Sequence, residues 1–170
     1  PHLPVNTDIA SSTEIARRAA ERVSEFPVIL APSVWSGYSP HQMHFPGTIS
    51  LGADTFINVW VDVAKSIAHS GFKKIFLLNG HGGNRGLVIT ATMKLSELGV
   101  EVASATYWDM ITEEINQVRS GPVGTTGHSC ELETSTQLAL QPENVDMSLA
   151  QGVGKLRTKA SRFFSMDMVE

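Results

Sequence analysis

The segment at residues 77–84, LLNGHGGN, constrains the fold of this chain most, because it places a histidine between glycines directly after an apolar run. Residues 73–78, KKIFLL, predict a short strand with a charged entry, and residues 86–95 have the apolar spacing of a helix. A loop at such a junction is where open α/β sheets bind ligands. We therefore expect His81 to be presented and not buried.

Three interpretations of this glycine loop compete. It lacks both the Rossmann glycine spacing and the Lys-Ser/Thr pair of a P-loop, which counts against phosphate binding through backbone N–H groups. The glycines can also serve only a tight turn, in which His81 caps or packs. The third interpretation, a metal ligand, requires partners elsewhere in the chain.

Two further segments carry such partners. Residues 1–8, PHLPVNTD, form a proline-rich loop that delivers Asp8 just before a predicted helix, although Asp8 can also be a simple turn or cap residue. Asp, His and Glu from separate segments are the ligand set of a divalent cation such as Zn²⁺ or Mn²⁺. We predict that the imidazole of His81 faces Asp8 across a polar cleft at the carboxyl ends of the strands.

The second of these segments, residues 126–135, holds His128, Glu131 and Glu133 in the run TGHSCELETS. If it is helical, Glu131 shares the face of His128. If it is extended, Glu131 and Glu133 share a side. The lone Cys130 between them is a conceivable nucleophile, but most single cysteines are packing residues.

Strands and helices alternate along the chain without repeats or a linker. This order predicts βαβ units and a parallel sheet in an α/β fold, with one domain at residues 1–170. The predicted strands are residues 27–32, 73–78 and 100–107, and the predicted helices are residues 12–24, 54–70, 86–99 and 109–118.

Four ordered motifs, taken together, resemble the creatininase family of metal-dependent amidohydrolases. They are PHLPVNTD, FPGTISL at residues 45–51, NGHGGN, and GHSCELETS at residues 127–135, and the resemblance extends from residue 1 to about residue 147. It implies a three-layer α/β/α fold with a mainly parallel sheet and two adjacent divalent metals, Zn or Mn with Fe as a further option. The implied reaction is hydrolysis of a non-peptide C–N bond in a linear or cyclic amide by water activated between the metals.

The same resemblance implies roles for individual residues. Asp8 matches the aspartate that bridges the metals, His81 a histidine ligand, and His128 an active-site histidine that moves protons. Glu133 is our candidate for a further metal ligand, with Glu131 as second choice; if Glu133 binds metal, Glu131 is left to orient His128. The residues expected to contact substrate are Thr48, Ser50, Gly82 and Trp108.

The sequence also departs from the family pattern, and these departures are as informative as the matching motifs. Members carry a Glu-x-His-Gly segment before PHLP whose Glu and His each bind a metal, so we expect this chain to be a domain truncated at both ends. Creatininases that act on creatinine have tyrosine and a glutamate ligand at the positions of Gly82 and Gly83, and an aromatic-acidic pair at those of Gly124 and Thr125. These differences argue against creatinine as the substrate. Other branches include a deformylase and a peptidase that act on cofactor precursors.

Composition sets the remaining expectations. The net charge of −4 gives no basic footprint for nucleic acid, and no apolar run has the length of a membrane span. A single cysteine cannot form an internal disulfide, so we expect the reducing cytoplasm. His41 and His44 are interpreted as solvated loop histidines, with substrate contact as the alternative for His44. The other class of function that we consider is a metal-poor, non-catalytic binding or assembly subunit.

The resemblance also implies a homo-oligomer, possibly a hexamer, acting on a small amide. Four apolar residues that look exposed support assembly, although truncation could expose them as well. They are Trp35, Phe45, Phe163 and Phe164.

Overall fold

The computed structural model describes residues 2–121 and 127–150, which form two compact units. The first unit comprises the described residues of Pro1–Ser33 and Trp108–Val169, and the second comprises Val34–Tyr107. Phe163 and Phe164, Gly124 and Thr125 lie outside the described residues. Among the residues that the structure describes, no helix has both the length and the apolar character needed to cross a membrane.

The second unit is a parallel strand pair packed against two helices. Its elements are α1 (Ala53–His69), β1 (Ile75–Asn79), α2 (Arg85–Glu97) and β2 (Val102–Thr106). The strands pair in parallel from Ile75↔Val102 to Asn79↔Thr106. The predicted strand-loop-helix-strand order around the glycine loop is confirmed, with each boundary within about three residues of its expected place.

Apolar side chains from both helices and from β1 form the core of this unit. Helix α1 contributes Phe56 and Ala64, β1 contributes Leu77, and α2 contributes Val88 and Leu95. Full burial of a Phe, Leu or Val side chain stabilises the fold by about 1.5–3 kcal/mol relative to exposure to water. This packing holds the strand pair in place. The loops that follow the carboxyl ends of β1 and β2 therefore begin at a well-packed part of the unit.

The first unit contains three described helices. We continue the numbering of the second unit and label them α3 (Thr7–Arg22), α4 (Thr112–Val118) and α5 (Glu131–Leu140). Helices α3 and α5 pack against each other. The contact is polar at its centre, because Gln137 is fully buried and its Nε2 donates to the Thr7 carbonyl oxygen (3.1 Å) and to Ser11 Oγ (2.7 Å). Short 3-10 turns lie at Tyr107–Ile111, Pro142–Asn144 and Met147–Leu149.

Two sequence predictions of local structure are wrong. Residues 27–32, predicted as a strand, form neither helix nor strand, and Ile29 is 72% exposed. An apolar run becomes a strand only by pairing with a neighbour, and prolines at both ends of this run remove two N–H donors. The helix predicted at residues 12–24 begins earlier, at Thr7, so Asp8 lies in its first turn and not in the preceding loop.

Candidate active site

His81 follows β1 and is held at its backbone by the side chain of Asn79. Asn79 Oδ1 accepts the His81 N–H (3.1 Å), while Nδ2 donates to the His81 carbonyl oxygen (2.9 Å) and to Thr106 Oγ1 (3.0 Å). Asn79 and Thr106 are partners in the strand register, so the last residues of both strands position the histidine. His81 is only 6% exposed, which corrects the expectation that it is not buried.

The backbone of Gly83 lies close to the ring of His81. A Cβ atom at Gly83 would lie 2.7 Å from His81 Nε2, 2.7 Å from the Tyr38 carbonyl oxygen and 3.0 Å from His41 Cε1. Contacts under 3.0 Å with a backbone atom cannot be relieved by a side-chain rotation, so a side chain at position 83 would require the backbone of this loop to shift. The missing glutamate noted in the sequence therefore has no room in this backbone.

His41 is the neighbour that sequence reasoning missed. It lies in a 3-10 turn at Pro40–Gln42, and its ring is nearly parallel to that of His81, with an interplanar angle of 6° and 5.6 Å between ring centroids. Both ring nitrogens of His41 are buried, so the interpretation as a solvated loop histidine is wrong for this residue. It holds for His44, which is exposed and packs on Phe45.

The turn that carries His41 is fastened to the glycine loop by Asn84. The Tyr38 N–H donates to Asn84 Oδ1 (2.8 Å), and the Asn84 N–H donates to the His81 carbonyl oxygen (3.1 Å). A Cβ at Gly37 would approach the Asn84 side chain to 2.8 Å, so the chain comes close to Asn84 at a residue that has no side chain. A local sequence pattern cannot predict this contact, because its partners Tyr38 and Asn84 are 46 residues apart.

Two of the predicted substrate residues, Thr48 and Ser50, make hydrogen bonds within the loop at residues 37–51. Thr48 Oγ1 donates to the Gln42 carbonyl oxygen (2.9 Å), and Ser50 Oγ accepts the Ser39 N–H (2.8 Å). Gly82 begins the 3-10 turn Gly82–Asn84. The fourth predicted residue, Trp108, belongs to the first unit, where its carbonyl oxygen accepts the Thr112 hydroxyl (3.2 Å).

Asp8 lies in the first turn of α3. The turn is established when Thr7 N and Oγ1 both donate to the Pro4 carbonyl oxygen (3.1 and 2.6 Å) and Ala10 N donates to that of Asn6 (2.8 Å). A carboxylate in this position interacts favourably with the helix dipole. Asp8 and His81 belong to different units, and the expected approach of their side chains stays a prediction.

His128 lies in the turn that leads into α5, so neither of the two sequence alternatives for this segment is correct. The helix starts only at Glu131, and the intervening Ser129 has a positive φ of 54°. The Ser129 N–H donates to Glu133 Oε2. Glu133 thus closes the first turn of α5 back onto the backbone next to His128, in the manner of a capping glutamate.

Glu131 is engaged with the chain that precedes the His128 turn. Its carboxylate accepts the Ser120 N–H at Oε1 (2.6 Å) and the Gly121 N–H at Oε2 (2.9 Å). These two backbone hydrogen bonds lower the pKa of Glu131 below its usual value. The proposed role of Glu131 in orienting His128 stays a prediction. The two backbone hydrogen bonds give Glu131 a second role, which is to hold residues 120 and 121.

His2 is a further buried histidine that the sequence did not single out. It is 7% exposed, its Nε2 is 2.8 Å from Thr134 Oγ1, and its carbonyl oxygen accepts the Asp146 N–H (3.0 Å). Burial lowers the pKa of His2, since a protonated ring is disfavoured away from water. The hydrogen bond attaches the start of the chain to α5, one turn after Glu131.

The donors are of the right chemical type for a divalent cation, but neither unit holds a complete set. Imidazole nitrogen and carboxylate oxygen suit Zn²⁺ and Mn²⁺, and glycine at position 83 keeps a side chain away from His81 Nε2. Within the described residues, however, no three His, Cys, Asp or Glu side chains converge as ligands. The second unit by itself contains a pair of neighbouring imidazoles, those of His41 and His81.

Comparison with known proteins identifies the fold and the family. The family described as "Creatininase: Creatinine amidohydrolase" matches residues 1–166. The chain belongs to this family. The resemblance stated from the four motifs is therefore confirmed over nearly the whole sequence, and the creatininase motifs fall on the elements described above.

Two curated relatives and one solved structure show how far the likeness extends. The creatinine amidohydrolase of Pseudomonas putida is 30% identical over 162 residues, which are 86% of this chain and 61% of that protein. The mycofactocin precursor peptide peptidase of Mycobacterium tuberculosis is 30% identical over 152 residues, 85% of this chain and 55% of that protein. The chain thus spans less than two thirds of either relative.

A solved structure described as "Creatininase Mn" superposes with a TM-score of 0.78 at 28% identity, covering 92% of this chain and 66% of that one. The predicted α/β fold class is confirmed by this similarity together with the parallel pairing of β1 and β2.

Proposed function

We propose that this chain is part of a metal-dependent amidohydrolase that cleaves a non-peptide C–N bond in a linear or cyclic amide. The observation that carries the proposal is the buried His81, fixed by Asn79 at the carboxyl end of β1 in a chain of the Creatininase family. A relative that acts on creatinine and a structure that contains manganese support the reaction class and the type of metal.

The proposed ligands of two divalent metals, Zn or Mn, are Asp8, His81 and Glu133. Bound metals would polarise the amide carbonyl and acidify water near neutral pH. Glu133 has one carboxylate oxygen on the Ser129 N–H, which holds the carboxylate in place at the start of α5. Preorganised ligands bind metal better because less conformational freedom is lost on binding.

His128 would deliver the proton that the departing nitrogen needs. An amine is a poor leaving group unless it is protonated, and a histidine is the side chain that most often transfers such a proton near neutral pH. The turn at residues 127–130 fixes its backbone through the Ser129–Glu133 hydrogen bond. Thr48, Ser50, Gly82 and Trp108 are proposed to contact the substrate.

The substrate is proposed to be a small amide other than creatinine. Position 83 has no space for the glutamate of creatinine-cleaving members, since a Cβ there would meet the Tyr38 backbone at 2.7 Å. The peptidase relative and the deformylase branch of the family are the alternatives of this class. The proposed enzyme is cytoplasmic and does not require nucleic acid or a membrane.

A metal-poor binding or assembly subunit is the second candidate. It is favoured by one observation, that no three metal-binding side chains converge within the described residues. Elemental analysis of the chain with and without an added upstream Glu-x-His-Gly segment distinguishes the two. We expect about two metals per chain in the extended form and fewer in the other. Equally low metal in both forms would exclude the enzyme and leave the binding subunit.

A matched pair of variants makes this test specific. Asp8 and Asp54 both lie in the first turn of a helix. In the extended form, Asp8→Asn is expected to lose most of the bound metal, whereas Asp54→Asn retains it. Equal retention by both would remove Asp8 from the ligand set.

A further inference from the structure

Two imidazoles lie side by side in the second unit, and the proposed function uses only one of them. The rings of His41 and His81 are nearly parallel at 6°, with centroids 5.6 Å apart. All four ring nitrogens are buried. The two rings thus bring imidazole nitrogens, which are good ligands for divalent cations, close together inside this unit.

Both rings approach the same glycine, His81 with Nε2 and His41 with Cε1. The position of a Cβ at Gly83 is 2.7 Å from His81 Nε2 and 3.0 Å from His41 Cε1, the carbon that lies between the two ring nitrogens. The third atom at this position is the Tyr38 carbonyl oxygen, also at 2.7 Å. The His81 nitrogen, the Tyr38 carbonyl oxygen and the edge of the His41 ring therefore crowd the position that a side chain at residue 83 would take.

The turn that carries His41 is held in place by contacts from three directions. Asn84 accepts the Tyr38 N–H, Ser50 accepts the Ser39 N–H, and the Leu51 N–H donates to the Gly37 carbonyl oxygen (2.8 Å). These contacts fix the backbone on the amino-terminal side of His41 through polar groups of the glycine loop and of the segment before α1. His41 is thus positioned by the same loop that presents His81.

We propose that His41 is a second imidazole ligand, beside His81, for a divalent cation of the borderline class that includes Zn²⁺ and Co²⁺. The inference rests on the proposed function and adds to it a ligand supplied from the turn Pro40–Gln42. Imidazole is the nitrogen ligand that such cations prefer. Position 83 and position 41 border the same space, so a histidine in the turn takes the room that a longer side chain in the glycine loop would need.

Titration with Co²⁺ alone, followed by visible absorption, tests this directly. His41→Ala is compared with His44→Ala, a histidine of the same loop that is exposed and packs on Phe45. The dissociation constant for Co²⁺ should rise at least about tenfold in His41→Ala, as even outer contacts of a metal site are worth that much. It should not change in His44→Ala, and the absorption band should shift only in the first variant.

The outcomes separate this inference from the proposed function. Equal Co²⁺ affinity and an unchanged band in His41→Ala would overturn the role of His41 while leaving a metal site at His81. If the unsubstituted chain, tested with the upstream Glu-x-His-Gly segment, takes up no Co²⁺ or Zn²⁺, the proposed function fails and this inference fails with it.

A measurement on the unsubstituted chain covers the case in which His41→Ala does not fold. With histidine labelled by ¹⁵N, addition of Zn²⁺ alone should move the ring-nitrogen signals of His41 and His81 and leave that of His44 in place. His41→Asn supplies the assignment of the His41 signals. Ring signals of His41 that do not move while those of His81 do would refute the proposal.

Discussion

Gly83 is the residue whose smallness matters most to the candidate site, and a paired substitution measures this. Gly83→Ala places a Cβ against the Tyr38 carbonyl oxygen and His81 Nε2, so it should lower the free energy of unfolding by about 1–3 kcal/mol. Gly86, three residues later in α2, has no atom within 4 Å of its Cβ position. Gly86→Ala should therefore be neutral or stabilising, by up to about 1 kcal/mol. Urea denaturation of both variants gives the comparison, and equal effects would contradict the crowding at Gly83.

At His128 we expect activity and metal content to separate. In the extended, metal-loaded form, His128→Ala should lower the turnover number by about 10²–10⁴-fold, because the leaving nitrogen loses its proton donor. Metal content, measured by elemental analysis, should remain nearly that of the unsubstituted protein. Loss of metal in this variant would make His128 a ligand and contradict its role in proton transfer.

The buried His2 predicts a pH dependence of stability. Its pKa is lowered in the folded chain, so below the unfolded value of about 6.5 the unfolded state binds a proton that the folded state does not. The free energy of unfolding should therefore fall as the pH drops from about 6.5 towards the folded pKa. Thermal unfolding across this window should show a shallower fall in His2→Gln, and identical slopes would rule His2 out as the cause.

Among the elements, the contact between α3 and α5 depends on one polar side chain. Gln137 is fully buried and donates to Ser11 and to the Thr7 carbonyl oxygen. Gln137→Leu leaves those acceptors without a donor and should lower the free energy of unfolding by about 1–3 kcal/mol. Ser135 is exposed on the same helix, and Ser135→Ala should change it by less than about 0.5 kcal/mol. A loss in the Ser135 variant as large as in the Gln137 variant would mean that the buried amide is not the cause.

The elements that the sequence predicted well are those in which the local pattern is decisive. The strand-loop-helix around His81 follows from an apolar run, two glycines and helical spacing, and all three appear where expected. Residues 27–32 have the same apolar character, but apolarity does not specify a pairing partner, and the run stays outside any strand and exposed.

The parts of the candidate site that the sequence did not predict depend on contacts between distant residues. The turn that carries His41 is held by the hydrogen bond from Tyr38 to Asn84, and the ring of His2 lies beside Thr134, 132 positions later. Neither contact produces a periodic pattern in the local sequence from which it could be predicted. The start of α3 was missed for a local reason, since Pro4 indicated a loop, although its carbonyl oxygen accepts both donors of Thr7 and so begins the helix.

For the whole molecule, we predict a homo-oligomer, with a hexamer as the specific expectation. Trp35 is 68% exposed and Phe45 is 45% exposed in the second unit, which confirms the expectation that both are exposed within this chain. Exposure of large aromatic side chains to water costs free energy, and their burial against a second copy of the chain would recover it.

Light scattering separates assembly from nonspecific aggregation by these aromatic residues. An interface gives one defined multiple of the chain mass that persists on dilution, whereas aggregation gives a broad mass that grows with concentration. Trp35→Ser should lower the defined multiple, because burial of a side chain of this size contributes about 1.5–3 kcal/mol at each contact and each contact is repeated by symmetry. Phe72, which is 45% exposed like Phe45, provides the control: Phe72→Ser should keep the same multiple. A monomer for the unsubstituted protein, or an equal loss in both variants, would contradict an interface at Trp35.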